Sequence, residues 1–214
     1  SAIELRIEDR WILSRLESFL KLANEAMENY QLHRVVRAFV DFVTEDFSRW
    51  YIQLIRPRVW EERESISKVA AYATVLRVVD RVNRAISPFT PFISEFVHQN
   101  FTRAFRSAAE SVFLESMPRA EEDWIDERLE EYMEVAKQIF EAASNARQKA
   151  KIKLRWPLRK LVVEGDERVE EAVRMLEDII KSQCNVKEVE VVREFPKEAV
   201  IEPNFREVGP LLKE

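Results

Sequence analysis

Two glycines in 214 residues constrain this chain more than any other feature of it. Average usage of about 7% would supply roughly fifteen. Glycine turns the backbone through positive φ at no steric cost, so few such turns are available here. A chain this poor in glycine is mostly helix. The shortage also excludes chemistry. With only Gly165 and Gly209 present, neither a P-loop nor a G-x-G-x-x-G turn can be built, which removes any glycine-lined nucleotide phosphate site.

Apolar spacing then divides the chain. A first helix opens at Glu8-Asp9, acidic residues suited to a helix N-terminus, and carries Trp11, Ile12, Leu16, Phe19, Leu20, Ala23, Met27 and Tyr30. A second is expected from Leu32 to Arg56, with Val36, Phe39, Val40, Val43, Phe47, Trp50 and Leu54 as its stripe, Phe42, Ile52 and Ile55 spread further round so that it is buried on more than one side, and Pro57 as its end. A third starts near Ser65 and repeats Tyr72, Leu76, Val79, Asn83 and Ile86. Pro88 and Pro91 separate it from a fourth, with Phe92, Ile93, Phe96, Val97, Asn100 and Phe101. After an irregular bridge a fifth runs from about Asp123 to Lys149. Beyond it the period changes: strands at Lys160–Glu164, Val186–Val192 and Ala199–Glu202 flank a helix at 167–182. The expected fold is mainly α, an antiparallel helical bundle over residues 3–150 followed by a small α/β subdomain over 151–214.

Candidate catalytic and metal sites fail on their partners. Glu95-x-x-His98 matches half of a di-iron bundle site, but the only other histidine, His33, has Tyr30 three residues before it. Neither a metal nor a cofactor is expected. Asp41, Glu45 and Asp46 lie one turn apart on a helix that also carries Arg49 and read as an i, i+4 charge network. The single cysteine, Cys184, has no histidine nearby in sequence; it excludes a disulfide framework and suits a reducing cytoplasm. No apolar run approaches the roughly 20 residues of a membrane span. The chain is therefore expected to be soluble, cytoplasmic and, by itself, non-catalytic.

The formal net charge of −5 argues against a nucleic-acid partner, but the distribution of charge argues for one. From Ala142 to Val163 there is no acidic residue, while Arg147, Lys149, Lys151, Lys153, Arg155, Arg159 and Lys160 are all basic and Trp156 sits among them. Such a segment suits a phosphate backbone; the rival reading pairs it with the acidic 121–134 segment. A second candidate is Ser48–Trp60. Phe47, Trp50 and Leu54 share one helical face and Arg49, Gln53 and Arg56 another, so Trp50 reads as core. Past Pro57, Arg58 and Trp60 are expected to project from a turn. They can clamp an unpaired base, or Trp60 can close the end of the bundle as a lid.

Several of these stretches resemble one family. Asp9-Arg10-Trp11-Ile12-Leu13-Ser14-Arg15-Leu16 resembles the opening of the anticodon-binding helical bundle of class I aminoacyl-tRNA synthetases of the valine, isoleucine and leucine group. Phe47-Ser48-Arg49-Trp50-Tyr51-Ile52 with Arg56, Arg58 and Trp60 looks like a segment typical of the isoleucyl enzymes. Ala71-Tyr72 and Ser87-Pro88-Phe89-Thr90-Pro91-Phe92 resemble the family's helix-junction motifs. Ala146-Arg147, Ile152 to Leu158 and Asn185-Val186-Lys187-Glu188-Val189 are similar to the continuation of isoleucyl enzymes, and Pro203-Asn204-Phe205-Arg206 with Gly209-Pro210 to its archaeal and eukaryotic version.

The resemblance implies a C-terminal, tRNA-binding fragment of an isoleucine–tRNA ligase. Its partners would be the isoleucine-accepting tRNA, through the anticodon stem-loop, and the catalytic core of the parent enzyme. ATP belongs to that core, whose HIGH and KMSKS motifs are absent here. In the related methionyl enzyme a tryptophan after the second bundle helix stacks on an anticodon base. Trp60 holds a similar place, although there the tryptophan directly follows a proline and here Arg58 and Val59 intervene. By the same resemblance Arg56 and Arg58 would bind phosphate or base edges, and Arg10 and Ser14 would line the same end of the bundle. Arg147, Lys149, Lys151, Lys153 and Arg155 would make a second, backbone-directed contact. The alternatives are the module of a valyl or leucyl enzyme, and a helical protein-interaction scaffold with no RNA role.

Overall fold

A computed structural model describes residues 5–195, and the expected strand at 199–202 and the motifs at 203–210 lie outside the described residues. The chain divides between Glu134 and Val135, inside its last long bundle helix, into two compact units. Sequence reading put this join at residue 150.

In the first unit, α1 (Ile7–Glu28) starts where the acidic pair predicts. Asp9 accepts the backbone N–H of Arg6 at 3.1 Å, satisfying one of the donors a helix start leaves open. Trp11, Ile12, Leu16, Phe19, Leu20 and Ala23 are buried, as their spacing requires. The next rod runs unbroken through α2 (Leu32–Asp41), a π-helical stretch (Phe42–Tyr51) and α3 (Ile52–Trp60). Its buried residues are Val35, Phe42, Asp46, Trp50, Tyr51, Ile55 and Arg58. Of the expected stripe only Trp50 is among them. Already in α2 the inward position is Val35, not Val36, and in the π-helical middle the i→i+5 turns return the inward face after four and five residues, not three and four. Nor does Pro57 end the rod, because α3 continues around it to Trp60.

Helix α4 (Ile66–Ile86) is capped by Ser65, whose hydroxyl accepts the Lys68 N–H at 3.1 Å. Ala70, Ala71, Thr74, Val78, Val82, Asn83, Ala85 and Ile86 face inward; Asn83 and Ile86 are buried as expected, whereas Tyr72 is exposed and the first half of the helix packs through the face beside the one predicted. Pro91 opens α5 (Pro91–Val97) in its first turn, as expected. A π-helical turn (His98–Thr102) and α6 (Arg103–Phe105) follow. Phe92, Ile93 and Phe96 are exposed, not core. His98 is fully buried, with Nε2 2.9 Å from the Ala109 carbonyl, and Glu95 accepts from Ser111 Oγ and the Val112 N–H at 2.9 Å each. The Glu-x-x-His pair thus anchors the bridge around 109–112.

Helix α7 (Glu127–Lys149) enters the second unit, which continues with β1 (Leu158–Glu164), α8 (Glu167–Cys184) and β2 (Val186–Val192). The strands pair in parallel from Leu158↔Val186 to Glu164↔Val192, with α8 as the crossover. Asp166 caps α8 through the Val169 N–H, and Ala172, Val173, Leu176, Ile179, Ile180 and Cys184 are its buried residues. Glycine scarcity shows at the helix ends. Tyr30, Lys151 and Asn185 hold the left-handed conformation that usually falls to glycine. Gly165 serves a different need: a Cβ there would lie 2.5 Å from the Val169 side chain.

Candidate nucleic-acid interface

A proline inside a helix removes one backbone hydrogen bond and crowds the preceding turn, at about 3 kcal/mol. The turn of α3 beyond Pro57 stays helical and is braced in addition by side chains. Arg58 is 4% exposed and points inward. Its guanidinium donates to Asp9 Oδ1 and Oδ2 at 3.0 and 2.9 Å, to Glu8 Oε1 at 2.7 Å and to the Ser67 carbonyl at 2.6 Å. Burial disfavours the Arg58 charge, but the hydrogen bonds and attraction of Asp9 and Glu8 outweigh it and its pKa rises. Tyr51 OH donates to Asp9 Oδ1 at 2.8 Å, and burial with the Asp9 charge moves its pKa well above the usual phenol. Lys68 Nζ donates to the Glu61 carbonyl just past the helix end, at 2.9 Å.

These ties leave Trp60 on the outside. It is 75% exposed, with the Arg56 guanidinium 5.6 Å from its ring centre. The lid reading of Trp60 therefore falls, and so does the expectation that Arg58 projects from a loop beside it. Glu61, Glu62, Arg63 and Glu64 are exposed on the turn that follows, and Glu64 pairs with Lys68 at 3.3 Å. Carboxylates outnumber exposed cations in this turn and repel phosphate, which favours an uncharged base face over a backbone.

Helix α1 contributes less than expected. Arg10 is exposed, with a long 3.8 Å approach to Asp126. Ser14 is fully buried: it accepts the Asp126 N–H at 2.8 Å and donates to Glu130, so it cannot line an exposed surface. Arg15 joins the same cluster, donating to Asp46 at 2.9 Å and to Glu130 at 2.8 Å. The predicted charge network around Arg49 reduces to its exposed 2.7 Å pair with Glu45.

The cationic segment behaves in the same alternating way. Arg147 is 6% exposed and donates to the carbonyls of Trp156, Cys184 and Asn185 at 2.8 to 3.0 Å, with a longer 3.4 Å approach to that of Lys153. It is a brace, not a phosphate ligand. Asn185 adds a 2.9 Å bond to the Leu154 carbonyl. The helix end closes through Ile152 N–H to Arg147 O and Lys151 N–H to Gln148 O, with Lys151 left-handed at φ 56°. Lys149, Lys151, Lys153, Arg155 and Arg159 stay exposed, with no ion-pair partner among the described residues, whereas Lys160 pairs with Glu190. Within the acidic 121–134 segment, Glu121 binds Arg77 and Arg81, Glu122 binds Lys21 and Glu130 binds Arg15.

Sequence reading missed Glu8, Asp9 and Lys68 as supports of the site. The one available signal was Asp9 at the third position of α1, where a carboxylate can reach back to the helix start. Nothing local announces that it also meets residue 58.

Residues 9–163 match the family described as the anticodon-binding domain of tRNA ligase. Over 212 residues the chain is 65% identical to the isoleucine–tRNA ligase of Archaeoglobus fulgidus, covering 99% of this chain and 21% of that protein. The corresponding ligases of Thermococcus kodakarensis and Pyrococcus furiosus are 47% and 45% identical, each over 99% of this chain and 20% of theirs. The chain thus spans about a fifth of the length of the curated relatives it matches. Trp124, 40% exposed with Arg77 5.2 Å from its ring centre, is a second outward tryptophan beside an arginine, though less open than Trp60. The helical bundle and the match over most of the chain lead to one conclusion: the chain belongs to the anticodon-binding domain family of tRNA ligases.

Proposed function

We propose that this chain recognises the anticodon stem-loop of an isoleucine-accepting tRNA, as the RNA-binding part of a longer cytoplasmic isoleucine–tRNA ligase whose catalytic core carries the ATP and amino-acid chemistry. The observation that carries this reading is Trp60, 75% exposed at a helix end that is tied on both sides, with Arg56 against its ring. An exposed aromatic held this way offers a stacking platform at low entropic cost. The two candidate surfaces divide the work by charge. Trp60 and Arg56 address bases and base edges, beside exposed glutamates that disfavour phosphate. Lys149, Lys151, Lys153 and Arg155 address the backbone, where each neutralised phosphate releases counterions.

Trp60→Ala is the decisive substitution. It is expected to weaken binding of the anticodon stem-loop by about 1–3 kcal/mol and to leave the melting temperature nearly unchanged, because so little of the ring is buried. A large fall in melting temperature with unaltered RNA affinity would sink the reading. Competition among isoleucine, valine and leucine tRNAs tests the amino-acid assignment, which rests on the relatives.

A further inference from the structure

We infer that the buried Arg58–Asp9 pair, with Lys68, is a positioning device that presents Trp60 to RNA. The inference rests on the RNA-binding reading above and goes beyond it: Arg58 touches no RNA and acts only through the tryptophan two residues on. Three observations support it. Pro57 deprives the last turn of α3 of a backbone bond where Trp60 needs a fixed direction. The chain is held on both sides of Trp60, by Arg58 on Asp9, Glu8 and the Ser67 carbonyl, and by Lys68 on the carbonyl of Glu61. Asp9 is itself locked. It accepts from Arg6 N–H, Tyr51 OH and both Arg58 nitrogens, so all its hydrogen bonds go to fixed partners in the start of α1 and in the rod. A buried ion pair with no catalytic task is a weak source of stability, because an apolar replacement of similar volume often does as well. Its geometry instead couples the end of α3 to the start of α1 and leaves an aromatic ring outside.

The test is a double-mutant cycle on the intact chain, with an RNA hairpin bearing the anticodon stem-loop of an isoleucine tRNA. Arg58→Lys keeps the charge but cannot span both Asp9 oxygens, Glu8 and Ser67 together. Lys68→Met frees the Glu61 carbonyl without touching the buried pair, and it carries the test if Arg58→Lys does not fold. With Trp60 present, each variant is expected to weaken binding by about 5–20-fold; in a Trp60→Ala background the further loss should be below about twofold. The dependence of affinity on salt should keep its slope, since neither side chain neutralises a phosphate. Equal losses in both backgrounds, no loss in either, or a shallower salt slope would each overturn the positioning role. The single Trp60→Ala variant separates the two failures. If it leaves affinity unchanged, the stacking reading falls and takes this inference with it. If it weakens binding while the other substitutions act additively, the inference alone is wrong.

Discussion

Arg58 and Arg147 are buried to nearly the same extent, 4% and 6% exposed, and sit in different compact units. Both stand in basic stretches that sequence reading assigned to RNA, and both turn inward. Their partners differ. Arg58 meets two carboxylates and one carbonyl, so its charge is neutralised where it lies. Arg147 meets only carbonyl oxygens. The pKa of Arg58 accordingly rises despite burial, while desolvation lowers that of Arg147. The planar fork of a guanidinium, with five N–H donors, allows both uses, as an ion-pair core or as a clamp on main-chain oxygens. In each case the buried arginine organises the backbone, and its neighbours in sequence are left facing solvent.

The sharpest way to break this comparison is to remove each guanidinium in turn. Arg58→Met strands Asp9 and Glu8 without their counter-charge and should cost about 3–5 kcal/mol in urea unfolding. Arg147→Met leaves only carbonyls without a donor, some of which can turn to water, and should cost about 1–3 kcal/mol. Hydrogen exchange should confine that loss to residues after Glu134. An Arg147→Met cost exceeding that of Arg58→Met would mean that the carbonyl clamp, not the ion pair, carries the greater share.

A smaller effect sharpens the proposed division between a base-facing and a phosphate-facing surface. Replacing Lys151 and Lys153 by glutamine should flatten the plot of log affinity against log salt by about 0.7–0.9 for each phosphate that goes unneutralised. The Trp60→Ala slope should match that of the unaltered chain. A flattened slope in Trp60→Ala, or an unchanged one in the lysine pair, would erase the distinction.

The smallest expected change concerns the thiol beside the clamp. Burial pushes Cys184 up to about 11, with Arg147 acting weakly in the other direction. At pH 8 the folded protein should therefore react with a thiol reagent far more slowly than the unfolded chain, because thiolate is scarce and access is closed. The sign also follows for stability. The folded-state pKa lies above the unfolded one, so this group's contribution is fully present below about pH 8.5 and is lost as pH rises towards 11. Rapid labelling of the native protein at pH 8 would show that the α8 end opens readily.

Much of the frame was legible. The first helix, Pro91 at the start of α5, the βαβ period and the strand Val186–Val192 all followed from spacing and turn chemistry. Trp50 as core was legible too. The inward face of the second rod was legible only in part: Phe42, Trp50 and Ile55 are buried, but Val35 rather than Val36 faces inward in α2, and the π-helical middle changes the period after it. At the site, Trp60, Arg56 and the exposed lysines were singled out from their residue types, but Arg58, Ser14 and Arg147 were misjudged in the same way. A basic or hydroxylated side chain looks alike in sequence whether it faces solvent or a partner fifty or a hundred residues away.

What the sequence determined by itself is what depends on near neighbours and on totals. Glycine poverty forces helix and forbids a phosphate-cradling loop, apolar periods set the elements, and the basic run after Ala142 concentrates charge. Which arginine faces solvent was decided only by the tertiary structure. A guanidinium goes inward where the fold brings it carboxylates or free carbonyls that offset its desolvation, and Asp9 and the carbonyls of Cys184 and Asn185 reach Arg58 and Arg147 only once the chain has folded.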